Sequence, residues 1–65
     1  MSAPAAAILG CAGPRLTDPE RRFFAEAQPW GFILFARNCE SAAQTASLVD
    51  DLRASVGRQA PVLID

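Results

Sequence analysis

The sequence predicts an α/β fold in which parallel strands and helices alternate as β-α-β-α-β, the opening part of a larger barrel or doubly wound sheet. Three observations predict it. The run Gly31-Phe32-Ile33-Leu34-Phe35-Ala36 is apolar without alternation and ends abruptly in Arg37 and Asn38. A strand wetted on one face would alternate, so this run expects cover on both faces, as in a parallel sheet held between other layers. Two segments with helix-start signals separate three apolar runs. The runs begin near Ala5, Gly31 and Val62, a spacing of roughly 30 residues that matches one βαβ unit.

Each element has a local reason. Ala5 to Leu9 is the first apolar run, and Gly10-Cys11-Ala12-Gly13-Pro14 breaks it, since two glycines and a proline make a loop. Thr17-Asp18-Pro19-Glu20 has the pattern of a capping box: the threonine hydroxyl accepts from an amide one turn in, and the glutamate reaches back to the cap amide. Asp18 and Glu20 also suit the positive end of a helix dipole. This first helix runs through Phe23, Phe24 and Ala27 and stops before Pro29, which disfavours helical geometry at Gln28. The second strand covers about Gly31 to Phe35. Ser41-Ala42-Ala43-Gln44 forms a second capping box, followed by Thr45, Leu48, Val49, Leu52 and Val56 on one helical face, with Asp50, Asp51 and Arg53 on the other. Gly57 is a suitable stop. Pro61-Val62-Leu63-Ile64 opens a third apolar run, closed by Asp65. Three strands and two helices would leave one edge unpaired and one face partly bare. Residues 1–65 are therefore expected to be the N-terminal part of a larger domain, and on their own to be poorly soluble or only partly folded.

Composition narrows the function. A chain of 65 residues buries only about 60% of its unfolded surface, and small autonomous domains usually add disulfides, a metal or a partner. Cys11 and Cys39 are the only cysteines and there is no histidine, so the four ligands of a zinc site are missing and no metal is expected. The two cysteines are expected to be free thiols. Net charge is −1, and the six arginines (15, 21, 22, 37, 53 and 58) are scattered rather than striped, which speaks against a nucleic-acid partner. The first ten residues lack the positive start and long apolar core of a secretory leader. No stretch approaches the ~20 apolar residues of a membrane span, so the expected compartment is the cytoplasm.

Chemistry is expected at the carboxyl ends of the strands, where such sheets carry their sites. Three positions qualify: Gly10-Cys11, Arg37-Asn38 and Asp65. An aspartate closing a strand can accept hydrogen bonds from substrate hydroxyls, because each ionised oxygen takes more than one. It can equally cap a following helix or stand solvated, and position alone favours that plainer role. Arg37 and Asn38 are expected to be structural, the arginine pairing with a carboxylate on a neighbouring strand and the asparagine suiting a turn backbone. Trp30 and Phe32 belong at the wrong end for a sugar-stacking platform and are expected in the core; Phe23 and Phe24 are expected to pack the helix on the sheet. Cys11 has no histidine to activate it and is expected to be inert. Gly10-Cys11-Ala12-Gly13 departs from the spacing of a dinucleotide turn, and no P-loop, carboxylate pair or Ser/His/Asp set is present.

The segment Gly31-Phe32-Ile33-Leu34-Phe35-Ala36-Arg37-Asn38, with Ala60-Pro61-Val62-Leu63-Ile64-Asp65 beyond a helix and Thr17-Asp18-Pro19-Glu20-Arg21-Arg22 before it, resembles the N-terminal part of bacterial β-N-acetylhexosaminidases of glycoside hydrolase family 3. The resemblance extends along nearly the whole chain. It implies the first β-α-β-α-β portion of a TIM (β/α)8 barrel. It also implies a retaining glycosidase that removes terminal non-reducing N-acetylglucosamine from peptidoglycan fragments during cell-wall recycling, as a monomer and without a cofactor. The family's nucleophilic aspartate and loop histidine have no counterpart in this chain, so no catalytic residue is expected within it. Asp65 matches the family's sugar-binding aspartate. Two other readings remain: a β-glucosidase-like relative, and a small non-catalytic βαβαβ binding module.

Overall fold

The computed structural model describes residues 5–65; Met1 to Pro4, part of the stretch weighed above as a leader, lie outside the described residues. The elements follow in the order β1 (Ala5–Leu9), α1 (Asp18–Ala27), β2 (Pro29–Leu34), a 3-10 turn (Ala36–Asn38), α2 (Ala42–Val56) and β3 (Val62–Ile64). The three strands form one sheet in the order β1-β2-β3, and both pairings are parallel. This is the α/β arrangement expected from the sequence. No helix among the described residues is long and apolar enough to cross a membrane.

Both helices start where the capping boxes place them. Thr17 and Ser41 are extended N-caps whose hydroxyls accept from Glu20 N–H and Gln44 N–H, while Glu20 and Gln44 return the bond to the cap amides. Such a cap contributes about 1 kcal/mol. Helix α2 ends at Gly57 in the left-handed region, φ 70°, where glycine bears no Cβ penalty. Helix α1 ends differently. Gln28 itself takes the left-handed conformation, φ 47°. Its side-chain amide donates to Ala25 O and Val56 O, at 3.1 and 3.3 Å. Those bonds, with its own N–H on Phe24 O at 2.9 Å, hold a conformation that glutamine rarely adopts.

Both helices lie on one side of the sheet. Phe24 of α1 and Leu48, Leu52 and Val56 of α2 form a single buried cluster with Phe32 and Leu34 of β2. The Phe24 and Phe32 rings meet edge to face, centroids 5.0 Å apart, a geometry that aligns ring edge with ring face. Arg21 of α1 reaches Asp51 of α2 at 3.5 Å, across side chains exposed enough that the pair contributes little. Sequential parallel strands with right-handed crossovers put consecutive helices on the same side, as here.

The opposite side carries no cover among the described residues. Ile8 pairs with Gly31, and Ile33 with Leu63, so these four share that face. Ile8 and Leu63 are 45% and 44% exposed. The expectation that β2 is covered on both faces therefore holds on the helix side only.

Three expectations need correction. Trp30 is not core but 48% exposed; it lies outside the buried cluster that takes in Phe32 and Leu34 of the same strand. Phe23 is 58% exposed, whereas Phe24 is buried; adjacent helical residues point about 100° apart, so one ring takes the sheet and the other faces away. Strand β2 runs from Pro29 to Leu34 rather than from Gly31 to Phe35. Asn38 N–H donates to Phe35 O at 2.9 Å and turns the chain at that point.

Candidate functional site

The parallel register gathers the three strand ends on one rim. Residues Gly10 and Cys11 follow β1, Phe35 to Asn38 follow β2, and Asp65 follows β3, its N–H donating to Leu34 O at 2.9 Å. All three positions singled out from the sequence are thus neighbours in space.

Asn38 is the best-anchored side chain of the rim and is completely buried. Its carbonyl oxygen accepts from Phe35 N–H at 2.9 Å. Its amide donates to Cys11 O at 3.1 Å and Gly13 O at 2.8 Å, with Cys11 Sγ at 3.5 Å. The carboxamide therefore closes its own turn and fastens the loop after β1 to the end of β2. The structural role expected for Asn38 is observed, but the physical reason differs. Its backbone does not adopt a positive φ; the side chain is required because buried carbonyls need donors.

Gln44 does similar work one element later, and the sequence disclosed only the bond to its own cap. Its oxygen accepts from Glu40 N–H and Ser41 N–H, at 2.7 and 3.3 Å. Its amide donates to Pro14 O at 2.6 Å and Asn38 O at 2.7 Å. The capping-box pattern revealed the bond from the Ser41 amide; the bond to Pro14 O depends on the loop after β1 folding back over α2. Glu20 completes the frame, accepting from Ala12 N–H and Thr17 N–H, both at 2.9 Å. Partial burial acts to raise its pKa. The bonds from the Thr17 and Ala12 amides and the Thr17 hydroxyl outweigh it and hold the carboxyl below the ordinary value.

Arg37 departs from expectation. No carboxylate among the described residues pairs with it. Its guanidinium lies over the Phe35 ring, 4.9 Å from the centroid, and Nη2 donates weakly to Cys11 O at 3.4 Å. A Cβ placed on Gly10 would lie 3.8 Å from Arg37 Nη2 and 3.9 Å from Phe35 Cε2. Phe35 is two residues on from Ile33, and Asp65 two on from Leu63. By strand alternation both continue the uncovered face of the sheet.

Cys11 and Cys39 are free, as expected. Cys11 is buried, and desolvation first, then the nearby Glu20 charge, pushes its thiol pKa up. A thiol so placed is a poor nucleophile. The rim therefore presents a carboxylate at Asp65, and a guanidinium over an aromatic face at Arg37 and Phe35.

A β-hexosaminidase of Bordetella avium (strain 197N) is 34% identical to this chain over 62 residues. The similarity is to a hexosaminidase. It takes in 95% of this chain but only 18% of the length of that relative. The chain thus spans about a fifth of that relative's length, and the likeness to a hexosaminidase agrees with that part of the resemblance read from the sequence. No protein-family profile matches the chain.

Proposed function

We propose that these residues are the opening β-α-β-α-β portion of a (β/α)8 barrel in a retaining β-N-acetylhexosaminidase of glycoside hydrolase family 3. The whole protein would remove terminal non-reducing N-acetylglucosamine from peptidoglycan fragments in the cytoplasm, in the recycling of cell wall. The observation that carries this reading is the match of 95% of the chain to a β-hexosaminidase.

The geometry supports it in three ways. Sequential parallel strands with both helices on one side are the repeating unit from which such barrels close. The other face presents Ile8, Ile33 and Leu63, the apolar side chains that a closed barrel packs into its interior. Asp65 stands at the carboxyl rim, where barrel enzymes carry their sites. Its role in this reading is to accept hydrogen bonds from hydroxyls of the N-acetylglucosamine ring. As an ionised carboxylate it accepts several bonds at once, and it fixes the ring without taking part in bond breaking. The nucleophile and the acid/base that make and resolve a glycosyl intermediate would belong to the rest of the barrel.

The test uses the intact protein that contains this chain and a chromogenic N-acetylglucosaminide. Hydrolysis is expected, with Asp65→Ala lowering kcat/KM by roughly a hundredfold, because sugar hydroxyls would lose their acceptor in a desolvated site. Unchanged kcat and KM in Asp65→Ala would remove that residue from the site. Turnover of β-glucosides in preference to N-acetylglucosaminides would replace the substrate class.

A further inference from the structure

We infer that Asn38 is a positioning residue for the sugar site, holding Asp65 in place by fixing the Leu34–Phe35 peptide to which Asp65 is bonded; this rests on the role given to Asp65 above. The carbonyl of Leu34 and the N–H of Phe35 belong to one peptide unit. That unit is planar and trans, so the two groups are rigidly linked and point in opposite directions. Both are engaged. Asp65 N–H donates to Leu34 O at 2.9 Å, and Phe35 N–H donates to Asn38 Oδ1, also at 2.9 Å. The plane is gripped from the β3 side by Asp65 and from the opposite side by Asn38. A bond at the N–H end also polarises the carbonyl at the other end and strengthens its bond to Asp65.

Asn38 serves as a fixed point because it is itself held from several directions. Its amide donates to Cys11 O at 3.1 Å and Gly13 O at 2.8 Å, and its backbone carbonyl accepts from the Gln44 amide at 2.7 Å. The residue has no exposed surface. Asp65, by contrast, is exposed and stands one position past a strand of three residues. Strand β2 has ended at Leu34, and the 3-10 turn begins at Ala36. Without Asn38 the Leu34–Phe35 peptide is free to rotate, and the backbone that aims the carboxylate turns with it. A small displacement of a positioned group lowers its effect steeply. Asn38 is buried away from the ligand and acts only through that peptide.

The experiment measures kcat/KM on a chromogenic N-acetylglucosaminide, with a thermal melt of each protein. It compares the intact parent, Asn38→Ala, Asn38→Asp, Asp65→Ala and the double variant Asn38→Ala with Asp65→Ala. Alanine removes the acceptor for Phe35 N–H, whereas aspartate keeps it and loses only the donors to the loop after β1. Asn38→Ala should therefore lower kcat/KM about tenfold. Asn38→Asp should stay nearer the parent in kcat/KM although it melts lower than Asn38→Ala. In the Asp65→Ala background, Asn38→Ala should change kcat/KM by less than about twofold, because the group it positions is gone. An equal loss in both backgrounds, parent kinetics in Asn38→Ala, or kinetic losses that follow the order of the melts would leave Asn38 a structural residue and overturn the inference. A parent without turnover, or unchanged kinetics in Asp65→Ala, would instead remove the sugar site on which it rests. Amide exchange in the parent decides the matter if neither Asn38 variant folds. Added N-acetylglucosamine should slow exchange at Phe35 and Asp65 together, and slowing at Asp65 alone would break the link.

Discussion

The Asn38 side-chain amide donates to the carbonyl of Gly13 at 2.8 Å, joining the turn after β2 to the loop after β1 across 25 residues of chain. A group with no exposed surface thereby sets the geometry of an exposed rim. Replacing Asn38 with alanine should destabilise the intact protein by about 2–3 kcal/mol, because Cys11 O, Gly13 O and Phe35 N–H would lose partners in a buried setting. Asn38→Asp should cost more, since an ionised oxygen would face two carbonyl oxygens. Denaturant unfolding checks the order; a loss below 0.5 kcal/mol (about the size of an ordinary surface change) would show that water replaces the carboxamide freely.

Gly31 should not accept alanine. A Cβ there would lie 2.8 Å from Pro61 O, the carbonyl that also accepts from Phe32 N–H at 2.9 Å. The contact is with backbone at the start of β3, so the strand pair must move apart. A loss of about 1–3 kcal/mol is expected. Gly13→Ala is the control, because nothing lies within 4 Å of its Cβ position. Thermal melts of the two variants side by side measure the difference.

Glu20 should give the protein an acid-sensitive element. Its folded-state carboxyl titrates below the ordinary value of 4.5. The unfolded chain therefore takes up the proton first, and the stabilisation is complete above that value. It fades as the pH falls through 4.5 and then through the lower folded value. Glu20→Gln retains one accepting oxygen for the Ala12 or Thr17 amide but does not titrate. Its stability relative to the parent should improve as the pH drops from 6 to about 3 (the range spanning an ordinary carboxylate pKa). Parallel stability profiles for the two proteins would contradict the assignment.

The two thiols should react at different rates. Cys11 is buried with a raised pKa, whereas Cys39 is half-buried. With a disulfide reagent near neutral pH, Cys39 should be modified first and Cys11 only as the protein opens, since the thiolate is the reactive species. Mass spectrometry of partly modified protein identifies the order, and faster reaction at Cys11 would mean that the rim loop opens readily.

Much of this was legible in the residues because it is local. Thr17 with Glu20, Ser41 with Gln44, and Gly57 each satisfy a helix end within a few positions of sequence, so their patterns announce the element. The apolar run of β2 was legible for the same reason. The misjudged positions are those where the neighbour decides. Trp30 and Phe32 look alike in sequence, both aromatic in an apolar run, but only Phe32 lies beneath Phe24 and α2. Phe23 and Phe24 differ by one helical step, which turns one ring out and the other in.

The sequence by itself determined the alternation of strands and helices, their caps and stops, and the three strand ends at which polar residues collect. Tertiary structure alone decided that Asn38 and Gln44 reach back to carbonyls of the first loop, and that Arg37 rests on Phe35 rather than on a carboxylate. The physical reason is range. Capping and periodicity are satisfied within one or two turns of chain, whereas a buried carbonyl can be satisfied by any donor that folding brings to it, however far away in sequence that donor lies.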